Sequence, residues 1–121
     1  MKAASKKILI ADDDAGIVDS ISMMLEMMGY DVEFTHDGTV VPDAAQSHTD
    51  LILLDIWMSG HDGRDICRQL KSNIGTKNIP VLMISASRDV KQSALDAGAD
   101  DFLEKPFEMQ TMLTKVERLI G

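Results

Sequence analysis

The sequence predicts one α/β domain built on a parallel sheet with helices on both faces. Three observations predict it. Short apolar runs alternate five times with helical stripes, and the runs are nearly continuous in apolar residues. A chain of 121 residues also suits a single core, so 1–121 reads as one domain.

The first run, Ile8 to Ala11, ends in Asp12, Asp13 and Asp14, the pattern of a buried strand with acids at its C-terminal end. Ile17, Val18, Ile21, Met24, Leu25 and Met28 then fall on one helical face, and Gly29 suits a left-handed cap. Val32 to Thr35 is a second short strand. Asp37-Gly38 signals a turn, and Pro42 fits best in the first turn of a weakly marked second helix. Leu51 to Leu54 is the most hydrophobic run and ends at Asp55. Ile66 and Leu70 suggest a helix after Gly63. Pro80 precedes Val81 to Ile84, a fourth strand that stops at Ser85. A helix over about 89–97 is closed by Gly98. Asp101 to Glu104 is the fifth strand, broken by Lys105-Pro106. Met109, Met112, Leu113, Val116, Leu119 and Ile120 stripe the last helix.

Composition narrows the function. Apolar residues make up 45% and charged residues 26%, as in ordinary globular proteins. No apolar run approaches the length of a membrane span, and the start, MKAASKKILIADDD, does not read as a signal peptide. Cys67 is the single cysteine, so no internal disulfide forms. The expectation is a cytoplasmic protein with no membrane partner. A net charge of -8 argues against direct nucleic-acid binding, which needs a basic footprint.

Four strands end in polar residues that a buried strand does not need: Asp12 and Asp13, Asp55, Ser85 and Lys105. In an open α/β sheet, ligands bind outside the carboxyl ends of the strands, and alternation puts all five residues at that edge. Crowded carboxylates repel one another, and a divalent cation relieves the repulsion. An all-oxygen set without Cys or His suits Mg²⁺ rather than zinc. A lysine and a hydroxyl nearby serve phosphoryl oxygens, and a carboxylate is a competent nucleophile for phosphoryl transfer. Each residue alone has a plainer role, as helix cap, turn residue or solvated lysine. Five independent caps would not all need to face one edge.

With these segments in view, the chain resembles the receiver domain of two-component response regulators. The resemblance rests on ILIADDD at 8–14, LILLDIWM at 51–58, DG at 62–63, VLMISA at 81–86 and AGADDFLEKPF at 97–107, and covers essentially the whole chain. It implies a flavodoxin-like sheet in 2-1-3-4-5 order. It implies Asp55 as phosphoacceptor, and Asp12 and Asp13 as the acidic pair around Mg²⁺, with Asp13 the more direct ligand. The backbone carbonyl of Trp57 resembles a further ligand. Ser85 and Lys105 match the hydroxyl and ammonium that contact the phosphoryl group. Ser85 and Phe102 match the switch positions, and Lys105-Pro106 a bond the family usually keeps cis. Departures are the bulky Trp57, Ser59-Gly60 where the family usually has proline after Met58, Phe102 in place of tyrosine, and Pro42.

The implied function is a phosphorylation switch. It catalyses only its own phosphorylation and dephosphorylation. Its partners are a histidine kinase or histidine phosphotransfer protein upstream and an effector protein or fused output domain downstream. An aspartyl-nucleophile phosphatase would need a general acid two residues after the nucleophile, where Trp57 stands. A pure interaction domain would not need Asp13, Asp55, Ser85 and Lys105 together. Met23 and Met27 lie off the core stripe of the first helix, and such thioethers suit contact with the phosphodonor. The three histidines, and Asp62, Arg64 and Asp65, read as surface positions. Cys67 reads as a small packing residue.

Overall fold

The computed structural model describes residues 6–45, 48–58 and 60–120. Five parallel strands form the main sheet: β1 (Lys7–Ala11), β2 (Asp31–Thr35), β3 (Leu51–Asp55), β6 (Val81–Ser85) and β7 (Asp101–Glu104). Their order is β2-β1-β3-β6-β7, the 2-1-3-4-5 arrangement that the resemblance implies. The two extra numbers belong to a hairpin the sequence did not announce, β4 (Trp57–Met58) against β5 (His61–Asp62). Gly60 turns it at φ +79, and Ser59 lies outside the described residues.

The continuous apolar runs are explained by cover on both faces. Ile8, Ile10, Leu51, Leu53, Leu82 and Ile84 pack with α1 (Ala15–Met27) and α5 (Met109–Ile120). Leu9, Ile52, Leu54, Val81 and Met83 pack on the other face with α2 (Val41–Ala44), α3 (Gly63–Ser72) and α4 (Lys91–Asp96). Every residue of β3 and β6 is buried. The edge strand β2 departs from that expectation: Asp31, Glu33 and Phe34 are exposed.

Pro42 sits in the first turn of α2 as predicted, preceded by a 3₁₀ turn at Gly38–Val40. The fourth helix likewise opens with a 3₁₀ turn at Arg88–Val90. Gly29 and Gly98 are left-handed, at φ +95 and +108. Met28 departs from the core stripe that its spacing predicts, being 52% exposed. The helix has ended there, and Tyr30 N–H already turns back to the Leu25 carbonyl at 3.1 Å.

Gly63 matters for the site. A Cβ there would lie 2.5 Å from the Asp55 carbonyl oxygen and 2.9 Å from Ile56 Cα, both backbone atoms that cannot swing aside. Gly63 N–H also donates to the Ile56 carbonyl at 2.6 Å. Gly63→Ala is expected to destabilise by about 2 kcal/mol, the range of overpacking, and to displace Asp55. Chemical denaturation reads it, and wild-type stability would contradict the close approach.

Candidate functional site

The strand ends deliver the site. Asp12 follows β1, and its N–H donates to the Thr35 carbonyl at 3.2 Å. Asp55 is the last residue of β3 and Ser85 the last of β6. Lys105 follows β7, its N–H donating to the Ser85 carbonyl at 2.9 Å. Sheet bonding thus holds the lysine backbone beside the serine.

One carboxylate oxygen from each of Asp12, Asp13 and Asp55 lies within 4.8 Å of the others. Asp12 is 1% exposed and Asp55 7%, while Asp13 faces solvent. Lys105 Nζ donates to Asp12 Oδ2 at 3.0 Å and lies 3.6 Å from Asp55 Oδ1. Asp12 Oδ1 accepts from Asp14 N–H at 2.9 Å, and Asp14 caps α1 by accepting from Ile17 N–H at 3.1 Å. Ser85 Oγ is buried and accepts from Ser87 N–H at 3.1 Å. A cleft of about 350 Å³ is lined by Asp55, Trp57, Ser85, Ala86, Ser87 and Lys105. Phe102 is buried on β7, among Leu54, Met83 and Ala94. The Lys105-Pro106 bond is cis.

Residues 8–117 match the family model described as the response regulator receiver domain. The chain belongs to that family. A DNA-binding dual master transcriptional regulator, RpaA of Synechocystis, is 43% identical over 117 residues, covering 94% of this chain and 48% of that protein. The response regulator MprA of Mycobacterium bovis is 38% identical, covering 96% of this chain and 51% of the relative. The chain therefore spans about half the length of these curated relatives.

Among solved structures, the chemotaxis protein CheY4 of Vibrio cholerae superposes with TM-score 0.88 at 31% identity, covering 96% of this chain and 99% of that one. The receiver domain of a sensor histidine kinase from Pseudomonas aeruginosa PAO1 has TM-score 0.88 and 27% identity, covering 98% and 99%. That structure holds a magnesium ion coordinated in its active site cleft.

The receiver's own donor set fits such an ion: three carboxylates, oxygen only, two of them buried. Electrostatics agrees. Burial is the largest cause of a raised pKa at Asp55, and the Asp12 charge adds to it. Lys105 partly offsets the rise, and the carboxyl comes to about 6. Folding has placed a carboxylate where it needs a cation. A proton and Mg²⁺ then compete for Asp55. Mg²⁺ affinity is expected to fall roughly tenfold per pH unit below about pH 6, and to level off above it. Calorimetric titration across that range reads the slope, and a flat profile would show that Asp55 does not hold the ion.

Two side chains behave differently from their sequence reading. Arg64 and Asp62 are half-buried partners rather than a solvated helix start, and the Arg64 guanidinium lies 5.2 Å from the Trp57 ring centre. Nothing in the local sequence marks that contact. Met23 and Met27 are exposed as expected, at 64% and 75%. They line a groove with Val32 and Phe34 beside the edge strand. From Asp14 they lie roughly 14 and 20 Å along α1, well down the helix from Asp55. Cys67 is buried, and burial pushes its thiol up to about 11, consistent with packing rather than reactivity.

Proposed function

We propose that residues 1–121 form one receiver domain that takes a phosphoryl group onto Asp55, in an Mg²⁺-dependent reaction, from a histidine kinase or histidine phosphotransfer protein. The observation that carries this is the clustering of the Asp12, Asp13 and Asp55 carboxylates with an ammonium 3.6 Å from Asp55. Asp12, Asp13 and Asp55, with the Trp57 backbone carbonyl, would hold Mg²⁺, which supplies positive charge against the carboxylates and the phosphoryl oxygens.

Asp55 is mostly ionised at neutral pH and is the nucleophile: its oxygen bonds to phosphorus as the bond to the donor imidazole breaks. Lys105 Nζ can swing from Asp12 to a phosphoryl oxygen, and Ser85 can turn its hydroxyl proton to another. Both responses pull on β6 and β7, and Phe102 sits on β7 opposite Met83. Ser85 and Phe102 are our switch pair, changing the face offered to an effector protein or fused output domain. The donor fits the groove beside the site, lined by Ile17, Ser20, Phe107 and Met109 among others, rather than the distant methionine patch.

DNA contact, where a relative is described as DNA-binding, is assigned to the half that this chain does not span. A net charge of -8 offers no phosphate footprint here. We place the domain in the cytoplasm with its donor. No helix among the described residues is long and apolar enough to cross a membrane.

Lys105→Ala tests the coupling. The variant is expected to accept phosphate more slowly, since a cation beside both acids is gone, yet still to accept it. Its amide shifts at Ser85 and Phe102 on adding beryllofluoride with Mg²⁺, a phosphoryl mimic, should be less than half those of wild type. Full-sized shifts would separate Lys105 from the switch.

A further inference from the structure

Arg64 is anchored at three points. Its Nε donates to Asp62 Oδ1 and Oδ2 at 2.9 and 3.1 Å, and Nη2 donates to Asp62 Oδ2 at 2.6 Å. Its Nη1 donates to Ser93 Oγ on α4 at 3.0 Å. Its guanidinium carbon lies 5.2 Å from the centre of the Trp57 ring. Asp62 is also the cross-strand partner of Trp57 in the β4–β5 hairpin. One side chain therefore grips both members of that pair and ties them to α4.

Trp57 lines the cleft that holds Asp55, Ser85 and Lys105. Its side chain is largely in solvent, 58% exposed, so its ring owes little of its orientation to core packing. A mobile surface arginine would hold it weakly. This one is already ordered by its ion pair and by Ser93, so stacking on the indole costs little further side-chain entropy. That contact restrains the ring beside the cleft.

We propose that Arg64 is a positioning residue: it holds the Trp57 indole against the phosphoryl cleft, restricts the approach of water, and so lengthens the life of the aspartyl phosphate. This rests on the reading of Asp55 as acceptor. In the step that is slowed, a water oxygen bonds to phosphorus and the bond from phosphorus to the Asp55 oxygen breaks. Asp55 leaves as carboxylate, and the water proton passes to the released phosphate or to solvent. Arg64 acts through Trp57 and touches none of these atoms. The Ser93 bond makes the ring's restraint depend on where α4 sits.

The test uses the full chain, phosphorylated by acetyl phosphate with Mg²⁺ and then freed of donor. Intact mass follows loss of the phosphoryl group. Trp57 is the only tryptophan in the sequence, so fluorescence and its quenching by acrylamide report the ring directly. Arg64→Ala is expected to lose the group roughly twofold to fivefold faster, the factor that a surface cation–π contact supports, with the indole more readily quenched. Arg64→Lys keeps the charge without the planar fork and should fall between. Ser93→Ala should move both readouts the same way by less.

A purely structural role would lower the melting temperature while leaving quenching and lifetime alone, and that result overturns the proposal. So does greater quenching with an unchanged lifetime. Absence of uptake by wild type would overturn the Asp55 reading and this proposal with it. Normal uptake with wild-type lifetimes in all three variants would isolate the failure to Arg64.

Discussion

Asp55→Asn is expected to take up no phosphoryl group and, in metal-free buffer at pH 7, to melt higher than wild type. The second effect follows from burial. Asp55 rises from its ordinary 3.8 to about 6 in the folded domain, so folding favours the protonated form. A group raised in this way supports the fold fully below its unfolded value and loses that support as pH climbs through its folded value. Metal-free wild type therefore weakens between about pH 4 and pH 6 and carries the full penalty at neutrality. Asparagine has nearly the same shape and no charge. The gain is about 3 kcal/mol and roughly 12 °C in melting temperature, shrinking as pH is lowered toward 4. Parallel melts across pH read the convergence of the two stabilities. A variant less stable than wild type at pH 7 would mean that Lys105 already compensates Asp55 fully.

The second large effect is the response to Mg²⁺ and its loss in Asp13→Ala. An ion that binds only the folded site stabilises by mass action, about 2.7 kcal/mol at one hundred times its dissociation constant. Wild type should show that gain and return it on adding a chelator. Asp13→Ala removes the solvent-facing carboxylate of the three and should show almost none, while its metal-free stability should not fall far, because one of the negative charges that raise Asp55 goes with it. Asp13 is exposed, so its removal leaves no cavity. An equal rise in melting temperature for both proteins would place the ion elsewhere.

Much of this was legible in the sequence because a parallel sheet is simple to read. The runs ending at Asp12, Asp55, Ser85 and Lys105 are buried on both sides, so they lack the alternation of half-buried strands. The polar residue closing each one then stands out. Strand order was not legible from periodicity, since order is set by crossovers; the resemblance supplied it. What the pattern missed has physical causes. Met28 fits the helical stripe by spacing, but the helix stops before it can be buried. Phe34 has strand propensity, yet it lies 56% exposed in the open groove beside Met23 and Met27. Arg64 reaches Ser93 across 29 residues and Trp57 across a hairpin, and no short-range rule connects them.

Asp55 alone is proposed to receive the phosphoryl group. The most direct measurement is intact mass followed by peptide mapping after incubation with acetyl phosphate and Mg²⁺, for wild type and Asp55→Asn. A single added phosphoryl group is expected in wild type, carried by the peptide containing Asp55, and none in the variant. A phosphoryl group that persists on the variant, or that maps to a serine, threonine or histidine elsewhere, would contradict it.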